Sequence, residues 1–168
     1  MKRERVLANM VIGANGATSL DHDSAALSTP ADRKRFHEIR KMSTALVVGG
    51  NTFRREHYSK APMPVYVATQ TPTSSTSTSI FIVAAPEIVV RKALEDSNGA
   101  VLIEGGIRFI APLLAKGVID RLFLTRSPIS GDGDFFDFEN LHRNYQLDSS
   151  NKVDDVTFEE WTPKKAKD

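Results

Sequence analysis

Ala45-Leu-Val-Val-Gly-Gly-Asn-Thr52 and, far downstream, Val101-Leu-Ile-Glu-Gly-Gly106 share one design: a short apolar run that meets a pair of glycines. Runs of this length and composition, each followed by helical spacing, read as buried strands feeding helices. The first leads into a predicted helix start at Phe53-Arg-Arg-Glu56; the second leads to Ile110, Leu113 and Leu114, an inward helix face that stops at Lys116-Gly117. Glycine pairs let backbone N–H groups approach a phosphate, and a helix start adds partial positive charge. Two such turns at the carboxyl ends of neighbouring strands make a cleft suited to an extended diphosphate ligand. Each turn alone is equally well a plain tight turn, and neither is a G-x-G-x-x-G fingerprint or a Walker loop.

Outward from these turns, short apolar runs alternate with helical patterns, the arrangement of an α/β domain. Residues 6–13 read as a buried strand ending in Gly13-Ala-Asn-Gly16, where two glycines supply positive-φ positions and a backbone open to close approach. A helix follows, capped by Ser28 or Thr29, with Pro30 in its first turn, Asp32 near its positive end, and Phe36, Ile39 and Met42 spaced to face inward. Further strands are predicted at 64–69, 80–83 and 119–125, with a helix opening at Pro86 and stopping near Asn98-Gly99. Residues 69–79, almost entirely Ser, Thr, Gln and Pro, suit a flexible surface loop. Residues 145–149 and 156–161 read as an antiparallel pair joined by a polar turn over 150–155. The expected organisation is one domain over 1–163 and a frayed basic tail over 164–168.

Composition sets the outer bounds. The 168 residues carry 22 Lys+Arg against 21 Asp+Glu, a formal net charge of +1 that gives no general pull toward nucleic acid or an anionic membrane. Zero cysteines exclude a disulfide scaffold, a Cys-ligated zinc and a thiol nucleophile. The basic start Met1-Lys-Arg-Glu-Arg5 before an apolar run is superficially signal-like, but Glu4 and Asn9 interrupt both parts, so a cytoplasmic protein is expected. No run reaches the ~18 apolar residues a membrane span needs.

Three carboxylates stand out. Asp32 is either a first-turn acid that stabilises its helix, or a carboxyl buried under a flat heterocycle where it holds or relays a proton. Glu104, after three apolar residues at a strand end, is a site residue or a solvated one; Glu56 belongs to a possible surface turn with Arg54 and Arg55. Arg33, Lys34, Arg35, Arg40 and Lys41 form a basic face, solvated or serving a ligand phosphate. His22, His37, His57 and His142 lack metal-site spacing, and there is no G-x-S-x-G elbow.

The order of these motifs resembles the dihydrofolate reductase superfamily, and within it the riboflavin-pathway pyrimidine reductases. The resemblance rests on Leu27-Ser-Thr-Pro-Ala-Asp-Arg33 with Phe36-His-Glu-Ile-Arg40, on Ala45-Leu-Val-Val-Gly-Gly-Asn-Thr-Phe-Arg-Arg-Glu56, and on Val101-Leu-Ile-Glu-Gly-Gly106 followed by residues 113–125. It implies a three-layer α/β/α domain with a mixed, mostly parallel sheet, an NADPH cofactor, a small-molecule substrate, hydride transfer to a ribosylaminopyrimidine or related heterocycle, and a homodimer. It also implies roles. Gly49, Gly50 and Thr52, with Glu104, Gly105 and Gly106, match the two cofactor turns, and Thr69 matches a strand end near the adenosine phosphate. Asp32 and Glu56 match substrate-side catalytic acids, and Asn9, Asn15 and Gly16 match the region bordering the nicotinamide. The first loop departs from the pyrimidine-reductase "S-L-D-G", which opens the substrate to question. The single tryptophan, Trp161, and the two glycines after Glu104 depart from folate reductases and favour the pyrimidine branch. A zinc deaminase domain, often fused to such reductases, has no cysteine to bind zinc and no room in this chain. A folate or pterin reductase, or a nucleotide-binding module without turnover, are the competing readings.

Overall fold

The computed structural model describes residues 4–165. Its elements run β1 (Val6–Ile12), β2 (Ala17–Ser19), α1 (Pro30–Arg40), β3 (Ala45–Gly49), α2 (Gly50–Arg55), β4 (Val65–Ala68), β5 (Ser79–Ile82), α3 (Pro86–Asp96), β6 (Val101–Glu104), α4 (Ile107–Ala115), β7 (Arg121–Arg126), β8 (Gly133–Phe135), α5 (Phe138–Asn144), β9 (Tyr145–Val153) and β10 (Val156–Pro163). The main sheet has the order β5-β4-β3-β6-β1-β7-β10-β9. Its pairs are parallel from β5 through β7, and β10 then runs antiparallel to both β7 and β9. This is the expected mixed α/β sheet with a C-terminal antiparallel hairpin.

Both faces of the central strands are buried, which is why they read as unbroken apolar runs. Val6, Ala8, Met10 and Ile12 of β1, Val47 of β3, Ile103 of β6 and Leu124 of β7 point to one side, against Val89, Val90 and Ala93 of α3 and Ile110, Leu113 and Leu114 of α4. Their alternates Leu7, Leu46, Leu102 and Phe123 point to the other, against Ile39 of α1 and Tyr58. The chain leaves β1 for α1 on one face and leaves β6 for α4 on the opposite face. The ends of these adjacent strands therefore flank a topological switch point, where open α/β sheets form their crevice.

Several local expectations are revised. Helix α1 ends at Arg40, so Met42 lies in the following turn, 50% exposed rather than inward. Thr29, not Ser28, caps α1, its hydroxyl accepting from the Asp32 N–H. Helix α2 starts at Gly50, directly on the first glycine pair, instead of at Phe53. The hairpin strands are longer than expected and meet at Asp154-Asp155, where Asp154 adopts φ +53°. The small β2–β8 sheet and α5 had no clear signal in the sequence. Lys164, expected in the frayed tail, is held: its N–H donates to Asn144 O and its Nζ to His142 O. Residues 166–168 of that tail lie outside the described residues. No helix among the described residues is long and apolar enough to cross a membrane.

Leu113 is fully buried between the sheet and α4's neighbours. Leu113→Ala should cost roughly 2–5 kcal/mol in urea unfolding, whereas Met42→Ala should stay within about 0.5 kcal/mol. A large loss for Met42→Ala would contradict the observed end of α1.

Candidate active site

The two glycine turns adjoin because β3 and β6 pair in parallel, Ala45 to Val101 and Val47 to Ile103. Gly49 closes β3 and Gly50 opens α2; Glu104 closes β6 and Gly105-Gly106 leads into α4. The Gly106 N–H donates to Thr52 Oγ1 at 3.2 Å, joining one turn to the other. Gly105 has φ +155°, and a Cβ there would stand 3.4 Å from Thr52 Oγ1 and 3.7 Å from Gly49 N. A side chain at this position would make ordinary contacts but would be strained by the backbone conformation. Gly106 has almost open space around its own Cβ direction, with only Thr52 Oγ1 at 3.9 Å. Neither α2 nor α4 has a side-chain cap at its start. Backbone N–H groups, glycine Cα atoms and one threonine hydroxyl thus line the junction, groups whose chemistry could hold an anion.

Thr69 follows β4, whose Ala68 pairs with Gly49, so it extends the same row of strand ends. Its hydroxyl donates to Thr71 O at 2.9 Å and accepts from the Thr71 N–H, which organises the start of the Ser/Thr-rich loop. Arg54 folds back from α2 to donate to Asn51, its Nη1 3.2 Å from where a Gly50 Cβ would sit.

Under α1 the site is built from side chains. Glu104 is 3% exposed, and the fork of Arg40 grips both its oxygens, Nε to Oε1 and Nη2 to Oε2, each at 2.7 Å. A solvated Glu104 is therefore ruled out, and only its backbone borders the glycine turn. Burial pushes the Glu104 carboxyl above the usual carboxylate range while Arg40 pulls it back down. Two short bonds from one guanidinium fork are those of an ionised carboxylate, and the same contact raises Arg40. The Arg40 guanidinium lies over the Phe36 ring at 4.6 Å and the Tyr58 ring at 5.6 Å. The Tyr58 hydroxyl donates to Glu56 Oε2, and the Ser24 hydroxyl donates to Glu56 Oε1, each at 3.2 Å. Burial and the two nearby carboxylates push the Tyr58 phenol far above its ordinary value, so it stays protonated and keeps the hydrogen that it donates to Glu56.

Asp32, 6% exposed, accepts from the Ser28 hydroxyl through Oδ2 at 2.6 Å. It lies eight residues before Arg40 on α1, a separation of about 12 Å along the helix. Asn9 pairs with Glu104 across β1 and β6 and is half-buried, on the face covered by α1. Thr125, fully buried on β7, has a hydroxyl with no hydrogen-bond partner among the described residues. Arg35 also departs from the expected solvated basic face. Its guanidinium is packed over Phe123 and Phe158 at 5.5 and 4.7 Å, and desolvation lowers its pKa.

The first loop is pinned to the segment after β7. Asn15 Nδ2 donates to Gly131 O and Asn15 Oδ1 accepts from the Gly131 N–H, at 2.9 and 3.1 Å. A Cβ on Gly13 would meet Ile129 O at 2.7 Å, so that glycine admits a neighbouring loop rather than a ligand. Gly16 has φ +82°, and its carbonyl accepts from the Phe136 N–H. Two open grooves, of about 420 and 370 Å³, lie elsewhere; they are lined in part by Met42 with Phe123, and by Arg35 with Phe158, and neither reaches a glycine turn. Among the described residues no group of His, Cys, Asp and Glu could hold a metal ion.

The structure thus gathers Gly49, Gly50, Thr52, Thr69, Gly105 and Gly106 into one row, and sets Asn9, Glu104 and Glu56 beside it. Tyr58 and Thr125 were not singled out from the sequence, and Arg40 was read only as one of five cations on a basic face. Arg40 was hidden inside a run of like charges, and Tyr58 and Thr125 carry no local pattern.

The RibD C-terminal domain model matches residues 4–157. The chain belongs to this family. As a RibD C-terminal domain it is similar in structure to a diaminohydroxyphosphoribosylaminopyrimidine deaminase/5-amino-6-(5-phosphoribosylamino)uracil reductase from Thermotoga maritima, with TM-score 0.76, 16% identity and 96% of this chain covered. It spans 57% of the length of that protein. It is also similar to a dihydrofolate reductase from Enterococcus faecalis, complexed with NADP(H) and RAB-propyl, with TM-score 0.72, 19% identity, and 96% of this chain and 97% of that one covered. A protein from Shewanella sp. PV-4 whose name places it in riboflavin biosynthesis gives TM-score 0.69 at 16% identity, covering 97% and 100% of the two chains. No curated protein sequence matches the chain. The fold is of the reductase type shared by these structures.

Arg40→Met removes the partner of a buried carboxylate and should cost about 3 kcal/mol near neutral pH. That is the low end for a broken buried pair, because the Arg40 side chain keeps 21% of its exposure. The folded state holds the Glu104 proton to higher pH than the unfolded chain does. This group therefore favours folding at low pH, and its contribution is lost as pH rises through the folded value. Without Arg40 that value moves up further. The deficit relative to wild type should grow as pH rises through the range in which Glu104 titrates, measured in paired urea titrations; a deficit constant with pH would show that Glu104 gains no proton.

Proposed function

We propose that this domain is an NADPH-dependent reductase acting on a ribosylaminopyrimidine or a closely related heterocycle. The observation that carries the reading is the junction of the two glycine turns, uncapped and side by side at the ends of β3 and β6. Gly49, Gly50 and Thr52 on one side and Gly105 and Gly106 on the other would hold the diphosphate, with Thr69 toward the adenosine. When bound, the dinucleotide supplies a hydride. Asn9 and Gly16 would border the nicotinamide, and Asn15, through its bonds to Gly131, sets the shape of that border.

The residues of this chain then supply orientation and proton chemistry. Asp32 Oδ2 is held by Ser28, which leaves Oδ1 to accept an N–H of the heterocycle or to pass a proton to it. Glu56 Oε1 and Oε2 are held by Ser24 and Tyr58, which fixes a second carboxylate on the substrate side. The buried position of Asp32 at the head of α1 also suits a pterin, so dihydrofolate is the competing substrate to assay.

NADPH oxidation measured with the ribosylaminopyrimidine, and separately with dihydrofolate, tests the assignment; oxidation with neither would overturn it. Gly105→Val and Gly50→Val should abolish NADPH binding in fluorescence titration while circular dichroism stays native. Unchanged titration in both variants would remove the two-turn site. Asp32→Asn should lower kcat by at least ~100-fold, the scale of general acid–base catalysis, with NADPH affinity within a few fold. Full turnover in that variant would make Asp32 a helix-end acid only. The family resemblance carries a homodimer as well, which light scattering checks.

A further inference from the structure

The polar groups under α1 form one connected frame. Arg40, in the last turn of α1, grips Glu104, the residue immediately before Gly105-Gly106. The same guanidinium lies over the ring of Tyr58, whose hydroxyl donates to Glu56 just past the end of α2. Glu56 also accepts from Ser24, in the loop leading to α1. The Tyr58 ring stacks on Phe53 of α2, with centroids 5.8 Å apart and planes 9° from parallel, and Phe53 stands edge-on to Phe81 of β5. The frame therefore touches both glycine turns, the helix that carries Asp32 and the loop that precedes it. Both oxygens of each carboxylate are partnered, and a satisfied buried network of this kind has one low-energy arrangement.

We propose that Arg40 and Tyr58 are positioning residues, which set the distance between the dinucleotide turns and the substrate-side acids Asp32 and Glu56. The inference rests on the reductase reading of the site. Neither residue needs to touch a ligand. Arg40 ties α1 to the second turn, and Tyr58 carries the same constraint to Glu56 beside the first. Misplacing reacting groups by about 1 Å costs on the order of 100-fold in rate, so a frame that holds this spacing acts on turnover more than on binding. Lysine cannot reproduce the planar fork on both oxygens of Glu104, and phenylalanine keeps the Tyr58 stack while removing the bond to Glu56.

The test is Arg40→Lys and Tyr58→Phe in the full chain, with three readouts: kcat with the substrate that wild type reduces, NADPH affinity by fluorescence titration, and hydrogen exchange at the Gly106 amide, which donates to Thr52 Oγ1. Both variants should lose roughly 10- to 100-fold in kcat with NADPH affinity within about 3-fold. Exchange at Gly106 should speed at least about tenfold in Arg40→Lys, with α3 and α4 otherwise as protected as in wild type. Unchanged kcat in both variants would overturn the proposal. So would a fall in NADPH affinity matching the fall in kcat, or exchange that speeds uniformly, since either marks a role in overall stability alone. A wild-type protein that reduces neither heterocycle overturns the reductase reading itself, and this proposal with it, an outcome distinct from those seen only in the variants.

Discussion

The parallel ladder between β3 and β6 is the constraint on which the rest depends. These strands are far apart in the chain, and their register brings Gly49 and Glu104 to the same edge of the sheet. Once that edge is shared, Thr52 can accept from Gly106, and the uncapped starts of α2 and α4 lie next to one another. The ladder holds because both faces of both strands are covered, Val47 and Ile103 by α3 and α4, and Leu46 and Leu102 by the α1 layer. A parallel pair buried on one face only would expose Leu46 and Leu102 to water and would not fix the turns.

Much of this half of the molecule was legible in the sequence. Apolar runs ending in Gly-Gly predicted both turns, while their meeting side by side was a supposition of the cleft and comes from the β3–β6 pairing. What failed did so at element ends. Met42 continued the inward spacing of Phe36 and Ile39, yet α1 stops at Arg40 because the chain must turn at once into β3, and the Lys41–Ser43 turn carries Met42 outward. The hairpin turn was placed too early because Ser150, Asn151 and Lys152 look like loop residues. They remain in β9 because an edge strand facing solvent tolerates polar side chains.

The basic segment of α1 shows a different limit. Five cations in a short stretch read as one solvated face, but charge type alone cannot reveal which of them meets a buried acid. Arg40 finds Glu104, which is distant in sequence, and Arg35 packs between Phe123 and Phe158 with Glu160 at 3.7 Å. Both partners come from strands that pair only in the folded sheet. The same limit holds for the first loop. Its glycines were legible as permissive backbone, but the neighbour they admit, the 129–131 segment, is set by tertiary contact.

These limits divide the site into two chemically different halves. The proposed dinucleotide half is made largely of backbone: glycine Cα atoms, N–H groups at helix starts and one threonine hydroxyl. Backbone geometry follows from the fold, and the fold is shared with solved structures of only 16–19% identity. The proposed substrate half is made of side chains, namely Asp32, Glu56 and Asn9, with Arg40, Tyr58 and the Asn15–Gly131 latch proposed to set its shape. Side chains can be exchanged without disturbing the sheet, and one exchange at Asn15 would release the first loop from Gly131. For the proposed reductase, the cofactor would therefore rest on backbone that the fold sets, and the choice of substrate on the side chains of the α1 face and the first loop.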